Sequence, residues 1–268
     1  MADTPGRPAP AASDRNAHDS GSPYNALPER ACADQAPSAL ALFDLDFTLI
    51  PSDSGLRWAR FLVGEGVLPP GTDEAYLDTC RDYVAGRIGI QALHRFAAER
   101  LLAVAVEDVP ELQHRFEAVI RSELPAASLE LVARHRQAGD LCCIVTTTNE
   151  VVATPYARAF GIPHLLASRP LVQDGRFTGD YLGPLCHGAS KVERVEAWLA
   201  ERAATRLGAR APGASAARAG FRARVFYSDS RSDLPLLEWV EHAVAVRPDE
   251  ALRAHAEARG WRIIEALT

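Results

Sequence analysis

Short apolar runs that lack polar alternation constrain the fold of this 268-residue chain more than any other feature of its sequence. Such runs are typical of strands that are buried on both faces, as in a parallel sheet covered by helices. Helical patterns follow these runs along the chain. We therefore predict an α/β fold with a Rossmann-like parallel sheet as its core. The predicted strands are residues 40–43, 141–145, 225–227 and 243–246, and the predicted helices are residues 129–137, 155–160, 190–199 and 232–240.

Polar side chains follow three of the predicted strands at the point where each strand ends. Residues 44–49 read Asp-Leu-Asp-Phe-Thr-Leu, residues 146–149 read Thr-Thr-Thr-Asn, and residues 228–233 read Ser-Asp-Ser-Arg-Ser-Asp. Open α/β sheets bind their ligands at the carboxyl ends of the strands. We therefore expect these three segments to contribute to one site.

Residues 52–125 interrupt this alternation with amphipathic helical patterns and no convincing strand. We expect them to form an all-helical cap, inserted into a discontinuous core of residues 39–51 and 126–268. A helical layer packed permanently on the sheet is the alternative. The insertion starts directly after the first acidic segment, which favours a cap that covers the site. The predicted cap helices are residues 56–63, 73–84, 90–102 and 112–124.

Two segments are predicted to lack regular structure. Residues 1–38 are rich in Ala, Pro, Ser and Gly, so they cannot bury enough apolar surface to offset the entropy lost on ordering. We expect a disordered tail, which is either dispensable or an arm that docks a partner. Residues 202–220 read as an extended loop around Pro212, and Asp174 with Gly175 reads as a hairpin turn.

Composition and charge exclude several classes of function. The net charge is -6, so the chain lacks the basic field that attracts nucleic acid or anionic lipid. No apolar run reaches the roughly 20 residues of a membrane helix, and the N-terminus has no secretory pattern. Five cysteines without a CxxC pair argue against a zinc site or a disulfide framework. We expect a cytoplasmic protein that binds neither nucleic acid nor membrane, and the sequence leaves its oligomeric state open.

Asp44 and Asp46 lie two positions apart at the end of a predicted buried strand. Two carboxylates are costly to bury there unless a cation compensates their charge. Hard oxygen ligands in small number favour Mg²⁺ over Zn²⁺. Three further features strengthen this interpretation: Thr146 begins a polar segment that suits phosphate oxygens, Lys191 is the only lysine of the chain, and residues 228–233 are again acidic.

The chain resembles the haloacid dehalogenase (HAD) superfamily phosphatases in four ordered motifs. The helical insertion after the first motif is similar to that of the subclass that contains phosphoserine phosphatase. Residues 144–149 and 227–237 resemble a bacterial group of HAD hydrolases, some of which act as histidinol-phosphate phosphatases. The resemblance covers residues 39–268. Its motifs are residues 44–48, Thr146, Lys191, and Asp229 with Asp233.

The resemblance implies a Mg²⁺-dependent phosphomonoesterase that acts on a small phosphorylated metabolite. Asp44 would attack phosphorus and form an aspartyl-phosphate. Asp46 would protonate the leaving alcohol and then deprotonate the attacking water. A carboxylate oxygen of Asp44, the backbone carbonyl of Asp46 and Asp229 would hold the Mg²⁺. Asp233 would support the shell of the metal.

The same resemblance implies that Lys191, Thr146 and the backbone N–H of Thr147 bind the phosphoryl oxygens. It also points to Asp53, because phosphoserine phosphatases have at the corresponding position an acidic residue that contacts the amino group of the substrate. Asp is one methylene shorter than the usual Glu, which suits a longer amino-alcohol phosphate such as histidinol phosphate. The alternative role of Asp53 is to cap the helix that starts near Leu56.

Two other functions remain open at this stage. A phosphotransferase would use the same intermediate and pass the phosphoryl group to another alcohol. A non-catalytic regulator would keep the fold and bind a partner through its tail, although the intact set of reacting residues argues against it. A dehalogenase is disfavoured, because its chemistry needs neither Asp46 nor a metal.

Overall fold

A sheet of six parallel strands forms the centre of the molecule, which the computed structural model describes at residues 39–207 and 220–265. The predicted α/β class with a parallel, Rossmann-like sheet is confirmed. The strands are β1 (Leu40–Phe43), β2 (Leu141–Asn149), β3 (His164–Ser168), β6 (Arg224–Ser228), β7 (His242–Val246) and β8 (Arg262–Ile264), while β4 (Pro170–Gln173) and β5 (Arg176–Tyr181) form a separate antiparallel pair. The spatial order β3-β2-β1-β6-β7-β8 means that the chain builds outward from β1 on one side and then returns to its other side.

Alternate residues of the central strands enter two hydrophobic cores, one on each face of the sheet. In β1, Leu40 and Leu42 lie in one core while Ala41 and Phe43 lie in the other, and all four are fully buried. Burial on both faces explains why the apolar runs of the sequence lack polar alternation.

Helices cover both faces of the sheet. Those in the described ranges are α1 (Ser54–Gly64), α2 (Thr72–Val84), α3 (Ile90–Arg100), α4 (Val109–Arg121), α5 (Ala126–Gln137), α6 (Glu150–Phe160), α7 (Ala189–Leu207), α8 (Leu234–Trp239) and α9 (Glu250–Arg259). Helices α5 and α6 pack into the core that contains Phe43, and α7, α8 and α9 pack into the opposite core. None of the helices in these ranges has the length and apolar character needed to cross a membrane.

Helix α6 begins earlier than the sequence predicts. Asn149 caps it through a side-chain oxygen that accepts a backbone N–H of the first turn, so the predicted start at Pro155 is wrong. Pro155 lies inside the helix and has no N–H to donate to the carbonyl of Val151. Gln113 of α4 supplies a donor instead, because its Nε2 donates to the Val151 oxygen at 2.8 Å.

Helix α7 extends to Leu207, so the predicted loop is wrong at residues 202–207. These residues are mostly Ala, Arg and Leu, which have high helix propensity and continue the preceding helix. The rest of that prediction, at residues 208–219, lies outside the described residues. The predicted disordered tail at residues 1–38 lies outside them as well.

The predicted hairpin turn is confirmed. Asp174 and Gly175 have φ angles of 49° and 74°, as a two-residue turn between antiparallel strands requires. They join β4 to β5, and β5 packs against helix α3.

Helices α1 to α4 occupy the segment for which the sequence predicts a cap. Trp58 of α1 contacts Phe116 of α4 edge to face, with ring centroids 5.1 Å apart. Phe116 contacts Tyr156 of α6 in the same way at 5.7 Å, so the helical segment and the sheet share one hydrophobic core. The division into a cap at residues 52–125 and a discontinuous core stays a prediction.

Candidate active site

The carboxyl ends of the central strands bring the predicted site residues to one edge of the sheet. Phe43, the last residue of β1, is paired in parallel register with both β2 and β6. Asp44, Thr146 and Asp229 therefore emerge at the same edge. The direction in which the chain adds strands reverses at this point, where open α/β sheets bind ligands.

Lys191, in the first turn of α7, links two of the predicted site residues. It is only 1% exposed, and its Nζ donates to Asp44 Oδ1 at 2.9 Å and to Asp233 Oδ2 at 2.7 Å. Ser228 Oγ donates to the same Asp233 oxygen at 2.7 Å. An ammonium removed from water to this extent requires such carboxylate partners. The only lysine of the chain is thus a buried ion-paired group.

The carboxylates at this edge carry more negative charge than the Lys191 ammonium compensates. Burial raises the pKa of Asp44 to about 7; Lys191 opposes the rise, and Asp233 adds to it. Burial and the nearby Asp44 raise the pKa of Asp229 to about 8, although the Thr48 hydroxyl donates to Asp229 Oδ1 at 3.1 Å. Burial alone would lower the pKa of Lys191, but Asp233 and Asp44 outweigh burial and raise it above its usual value.

Asp46 is held through both of its carboxylate oxygens. The backbone N–H of Ser54 donates to Oδ1 at 2.6 Å, and the Thr148 hydroxyl donates to Oδ2 at 2.6 Å. The Ser54 and Thr148 hydroxyls are themselves 3.2 Å apart. Burial and the neighbouring Asp53 raise the pKa of Asp46 to about 6. A carboxyl group with a fixed orientation and a pKa near neutrality is suited to both give and accept a proton.

Asp53 caps α1, as one of its two predicted roles requires. Its Oδ1 accepts the backbone N–H of Leu56 at 2.7 Å. Its other oxygen lies 3.9 Å from Cys80 Sγ, and the Tyr76 hydroxyl is a further hydrogen-bond partner. Burial raises the pKa of Asp53, which these hydrogen bonds partly oppose. The capping role is confirmed, and contact with a substrate amino group stays a prediction.

Two cavities adjoin near the site, and only the inner one is lined by predicted site carboxylates. The inner cavity, of about 120 Å³, lies between helices α1 to α3 and the strand ends, and both Asp46 and Asp53 line it. The outer cavity, of about 350 Å³, lies between α3 and the segment that follows β5. His94 borders both cavities. The remaining walls of the inner cavity are mostly apolar and include Trp58, Leu62, Leu68, Leu93 and Leu101.

The predicted phosphate-binding threonines lie at the end of β2, next to a histidine. Thr146 is buried, and its hydroxyl accepts the backbone N–H of Thr148 at 3.2 Å. Thr147 Oγ1 lies 3.4 Å from His187 Nδ1, and Thr147 also lines the inner cavity. His187, in the segment before α7, thus joins the surroundings of the predicted phosphate site.

Comparison with known proteins places this arrangement in a family. The haloacid dehalogenase-like hydrolase family matches residues 41–238, a span that contains every predicted site residue. The chain belongs to that family. Histidinol-phosphatase from Neisseria meningitidis serogroup C is 34% identical over 228 residues, which cover 84% of this chain and 97% of that protein. The predicted resemblance to HAD enzymes, and with it the prediction of a hydrolase, is confirmed.

Two solved structures share the fold of this HAD hydrolase. A protein of unknown function from Bordetella pertussis Tohama I is 37% identical, with a TM-score of 0.74, and the match covers 87% of this chain and 100% of that one. A phosphoserine phosphatase, solved as an analogue of its phospho-aspartyl intermediate, has a TM-score of 0.56 at 18% identity over 86% of this chain and 94% of that one. The second likeness shows a common fold.

The loop at residues 44–49 of this HAD hydrolase is held by Arg247, which sequence reasoning missed. Arg247 Nη2 donates to the backbone oxygens of Phe47 at 2.7 Å and Thr48 at 3.0 Å. Phe47 needs this support, because its φ of 55° lies in the left-handed region that bulky residues disfavour. No local motif marks Arg247, since it follows Thr48 by 199 residues.

The donor set at this edge fits a hard divalent cation. Asp233 Oδ1 is buried and has no hydrogen-bond partner within the described part of the chain, and burial, with neighbouring carboxylates as a smaller cause, raises the pKa of both Asp44 and Asp229. In residues 39–207 and 220–265, no three His, Cys, Asp or Glu side chains already form a metal-binding group. The predicted set of metal ligands requires only two such side chains, Asp44 and Asp229, together with the carbonyl oxygen of Asp46. These are oxygen ligands of the kind that Mg²⁺ prefers.

Proposed function

We propose that this HAD hydrolase is a Mg²⁺-dependent phosphomonoesterase that acts on a small phosphorylated amino alcohol through an aspartyl-phosphate intermediate. One observation carries the proposal: buried Asp44 is ion-paired to Lys191 at a strand end, while Asp46, two residues later, opens onto a cavity. The arrangement gives a nucleophile, a phosphate-binding cation and a proton donor on one short stretch of the sheet edge.

Asp44 acts as the nucleophile in the proposed reaction. A carboxylate oxygen forms a bond to phosphorus, and the bond from phosphorus to the ester oxygen breaks and leaves its electron pair on that oxygen. Water then attacks phosphorus, the bond to Asp44 breaks, and inorganic phosphate leaves with the carboxylate restored. Lys191, Thr146 and the Thr147 N–H bind the phosphoryl oxygens throughout.

Asp46 moves the protons of both steps. It gives its proton to the departing ester oxygen and later accepts one from the attacking water. The hydrogen bonds from Ser54 and Thr148, both 2.6 Å, keep the carboxyl group oriented. A pKa raised to about 6 leaves a useful fraction of Asp46 protonated at neutral pH.

Asp44, the Asp46 carbonyl and Asp229 would hold the Mg²⁺, with Asp233 supporting them. When bound, the ion supplies positive charge that offsets the repulsion between a carboxylate nucleophile and a phosphate dianion. Ser228 and Lys191 fix the orientation of Asp233 through its Oδ2 atom, while its Oδ1 atom has no hydrogen-bond partner among the described residues and would be free to support the metal site.

The inner cavity indicates the kind of leaving group. Asp53 offers a carboxylate to an ammonium group, and the apolar wall beyond it suits an apolar or aromatic portion. Histidinol phosphate has both features, and the 34% identical relative is named for that substrate. Phosphoserine is the second candidate, because Arg100 also lines this cavity and an arginine is able to pair with a substrate carboxylate. Neither nucleic acid nor membrane enters this scheme.

The cytoplasm is the proposed location. The four cysteines in the described ranges are all free, which fits a reducing compartment.

Turnover of p-nitrophenyl phosphate by the full chain with Mg²⁺ tests the proposal. Asp44→Asn should reduce the rate below about 1% of wild type, because an amide does not attack phosphorus. Asp46→Asn should slow alkyl phosphates more than p-nitrophenyl phosphate, whose leaving group needs little protonation. Asp78→Asn, on the exposed surface of α2, is the matched control and should leave the rate unchanged.

Analysis of the reaction products distinguishes a phosphatase from a phosphotransferase. A phosphatase releases inorganic phosphate in amounts equal to the alcohol, whereas a phosphotransferase yields a new phosphate ester when a second alcohol is added. A wild-type protein with no turnover of any phosphate ester would support the non-catalytic regulator and end the proposal.

A further inference from the structure

We propose that residues 247–249, the short segment between β7 and α9, position the two loops that carry the predicted metal ligands and thereby set the affinity of the site for Mg²⁺. This role rests on the proposed function, of which the metal site is a part, and it belongs to residues outside the predicted set of ligands. Arg247 and Asp249 are the positioning residues, and each contacts a different loop.

Arg247 holds the loop at residues 44–49. Its Nη2 atom donates to the carbonyl oxygens of Phe47 at 2.7 Å and of Thr48 at 3.0 Å. The carbonyl that precedes these two belongs to Asp46 and is a predicted metal ligand. Phe47 has a φ of 55°, which a bulky residue leaves when it is free to relax. The Arg247 contact therefore helps to fix the direction of the Asp46 carbonyl.

Thr48 extends this restraint to the two carboxylate ligands. Its hydroxyl donates to Asp229 Oδ1 at 3.1 Å and lies 3.5 Å from Asp44 Oδ2. Arg247 binds the carbonyl of the same residue, which is itself only 1% exposed. Loss of the guanidinium should therefore loosen the hydroxyl that joins Asp44 to Asp229.

Asp249 holds the loop at residues 229–233. Its backbone N–H donates to the Asp229 carbonyl at 2.9 Å, and its Oδ2 atom accepts the backbone N–H of Arg231 at 2.7 Å. Its Oδ1 atom caps α9 by accepting the backbone N–H of Leu252 at 2.7 Å. The second metal loop is thus attached to the first turn of α9.

The segment itself is held in a strained conformation. In the described part of the chain, three residues other than glycine have a positive φ, and two of them, Phe47 at 55° and Arg247 at 46°, are partners in the same contact. Such strain persists only where the surrounding structure maintains it. Buried Pro248 restricts the backbone after Arg247, and the Arg247 N–H donates to the Ile264 carbonyl of β8 at 2.7 Å.

The sign of the effect distinguishes positioning from simple electrostatics. The Arg247 guanidinium is a positive charge near a site for a divalent cation, so Coulomb repulsion alone predicts that its removal tightens Mg²⁺ binding. Positioning predicts the opposite, because the ligands lose their preferred arrangement. Arg247→Met removes both the charge and the contact. Arg247→Lys keeps the charge on a shorter side chain that lacks the guanidinium, so it should recover only part of the affinity.

Isothermal titration of Mg²⁺ into the full chain, stripped of metal with EDTA and without substrate, measures the effect. Asp249→Asn tests the second loop: its amide keeps one acceptor oxygen for the cap of α9 but offers no second acceptor to the Arg231 N–H. Arg253→Met is the matched control, because it removes a partly exposed arginine of α9 that pairs with Glu265. If Arg247→Met does not fold, Arg247→Lys replaces it.

We expect Arg247→Met and Asp249→Asn each to raise the Kd for Mg²⁺ about tenfold, as is typical of residues that orient metal ligands. Arg253→Met should leave it unchanged. The Mg²⁺ concentration that gives half-maximal turnover of p-nitrophenyl phosphate should rise by the same factor. An unchanged or lower Kd in Arg247→Met, even with a lower Tm, would overturn the positioning role and leave the proposed function intact. A wild type that binds no Mg²⁺ would remove both proposals.

Discussion

Replacing Lys191 with methionine probes the charge balance of the site directly. Methionine keeps the length of the side chain and its apolar stem, but it removes the ammonium that lies 2.9 Å from Asp44 Oδ1 and 2.7 Å from Asp233 Oδ2. Both carboxylates then lose a charged donor. They remain buried, because the surrounding strands and helices still exclude water.

The structure sets the expected magnitude. Removing one partner of a buried ion pair destabilises a protein by about 3–5 kcal/mol, since the other partner stays buried without compensation. For a protein of this size, each kcal/mol corresponds to about 2–4 °C in Tm. We therefore expect Lys191→Met to lower the Tm by about 6–20 °C in Mg²⁺-free buffer. Phosphatase turnover should be lost as well, because the phosphoryl oxygens lose their cation.

Thermal unfolding monitored by circular dichroism measures this effect, and a surface ion pair provides the control. Arg259 Nη2 lies 3.0 Å from Glu238 Oε1, and both side chains are largely exposed. Arg259→Met should therefore change stability by less than about 1 kcal/mol. Added Mg²⁺ should recover part of the Lys191→Met loss, because a divalent cation compensates the same carboxylates.

The charge state of Lys191 is observable without mutation. As the only lysine, it should give a single side-chain resonance in lysine-labelled protein, and its raised pKa should keep that resonance in the protonated form above pH 10.5. A Tm for Lys191→Met within about 2 °C of wild type would refute the charge-balance reasoning. Deprotonation of the resonance at or below the usual lysine pKa would refute it independently.

Two further predictions concern the carboxylates. In EDTA the Tm should fall as the pH rises from about 5 to 8. Asp side chains of the unfolded chain release their protons near pH 4, whereas folded Asp44 and Asp229 keep theirs until about pH 7 and pH 8. Because the folded state binds more protons in this range, raising the pH favours the unfolded state. Mg²⁺ should restore the Tm most at pH 8, and equal Tm values with and without it there would contradict the metal site. Asp53→Asn should raise KM for phosphoethanolamine more than for p-nitrophenyl phosphate; an equal change in both, accompanied by a lower Tm, would leave Asp53 only its confirmed role as a cap.

The central strands were predictable from sequence because burial on both faces leaves an unbroken apolar run. Strands β3 and β8 carry a weaker signal and were missed. Strand β8 has only three residues, with Arg262 exposed, and β3 has half-buried positions at His164 and Leu166. Both strands lie at the outer ends of the sheet, where one edge has no neighbour within the described residues. Pairing with an adjacent strand defines them, and local composition does not encode that pairing.

The same distinction applies to the site. The placement of Asp44, Thr146 and Asp229 at one edge follows from local strand-end signals and from the parallel topology. Two of the groups that hold the loop at residues 44–49 came only from the structure, because each connects segments distant in sequence. Thr148 binds Asp46 across 102 residues and Arg247 binds the Thr48 carbonyl across 199, and neither residue type is unusual in its local setting.

The packing of α4 would limit the movement of residues 52–125 if they form the predicted cap. Gln113 supplies the donor that Pro155 denies to the Val151 carbonyl, and it is itself only 1% exposed. Moving α4 away would leave that buried carbonyl unsatisfied, at a cost of about 1–3 kcal/mol, and would also separate Phe116 from Tyr156. Gln113 belongs to α4, whereas helices α1 to α3 line the inner cavity. An opening that preserves the Gln113 bond therefore leaves α4 on the core and moves only the first three helices, at the expense of the contact between α1 and Phe116.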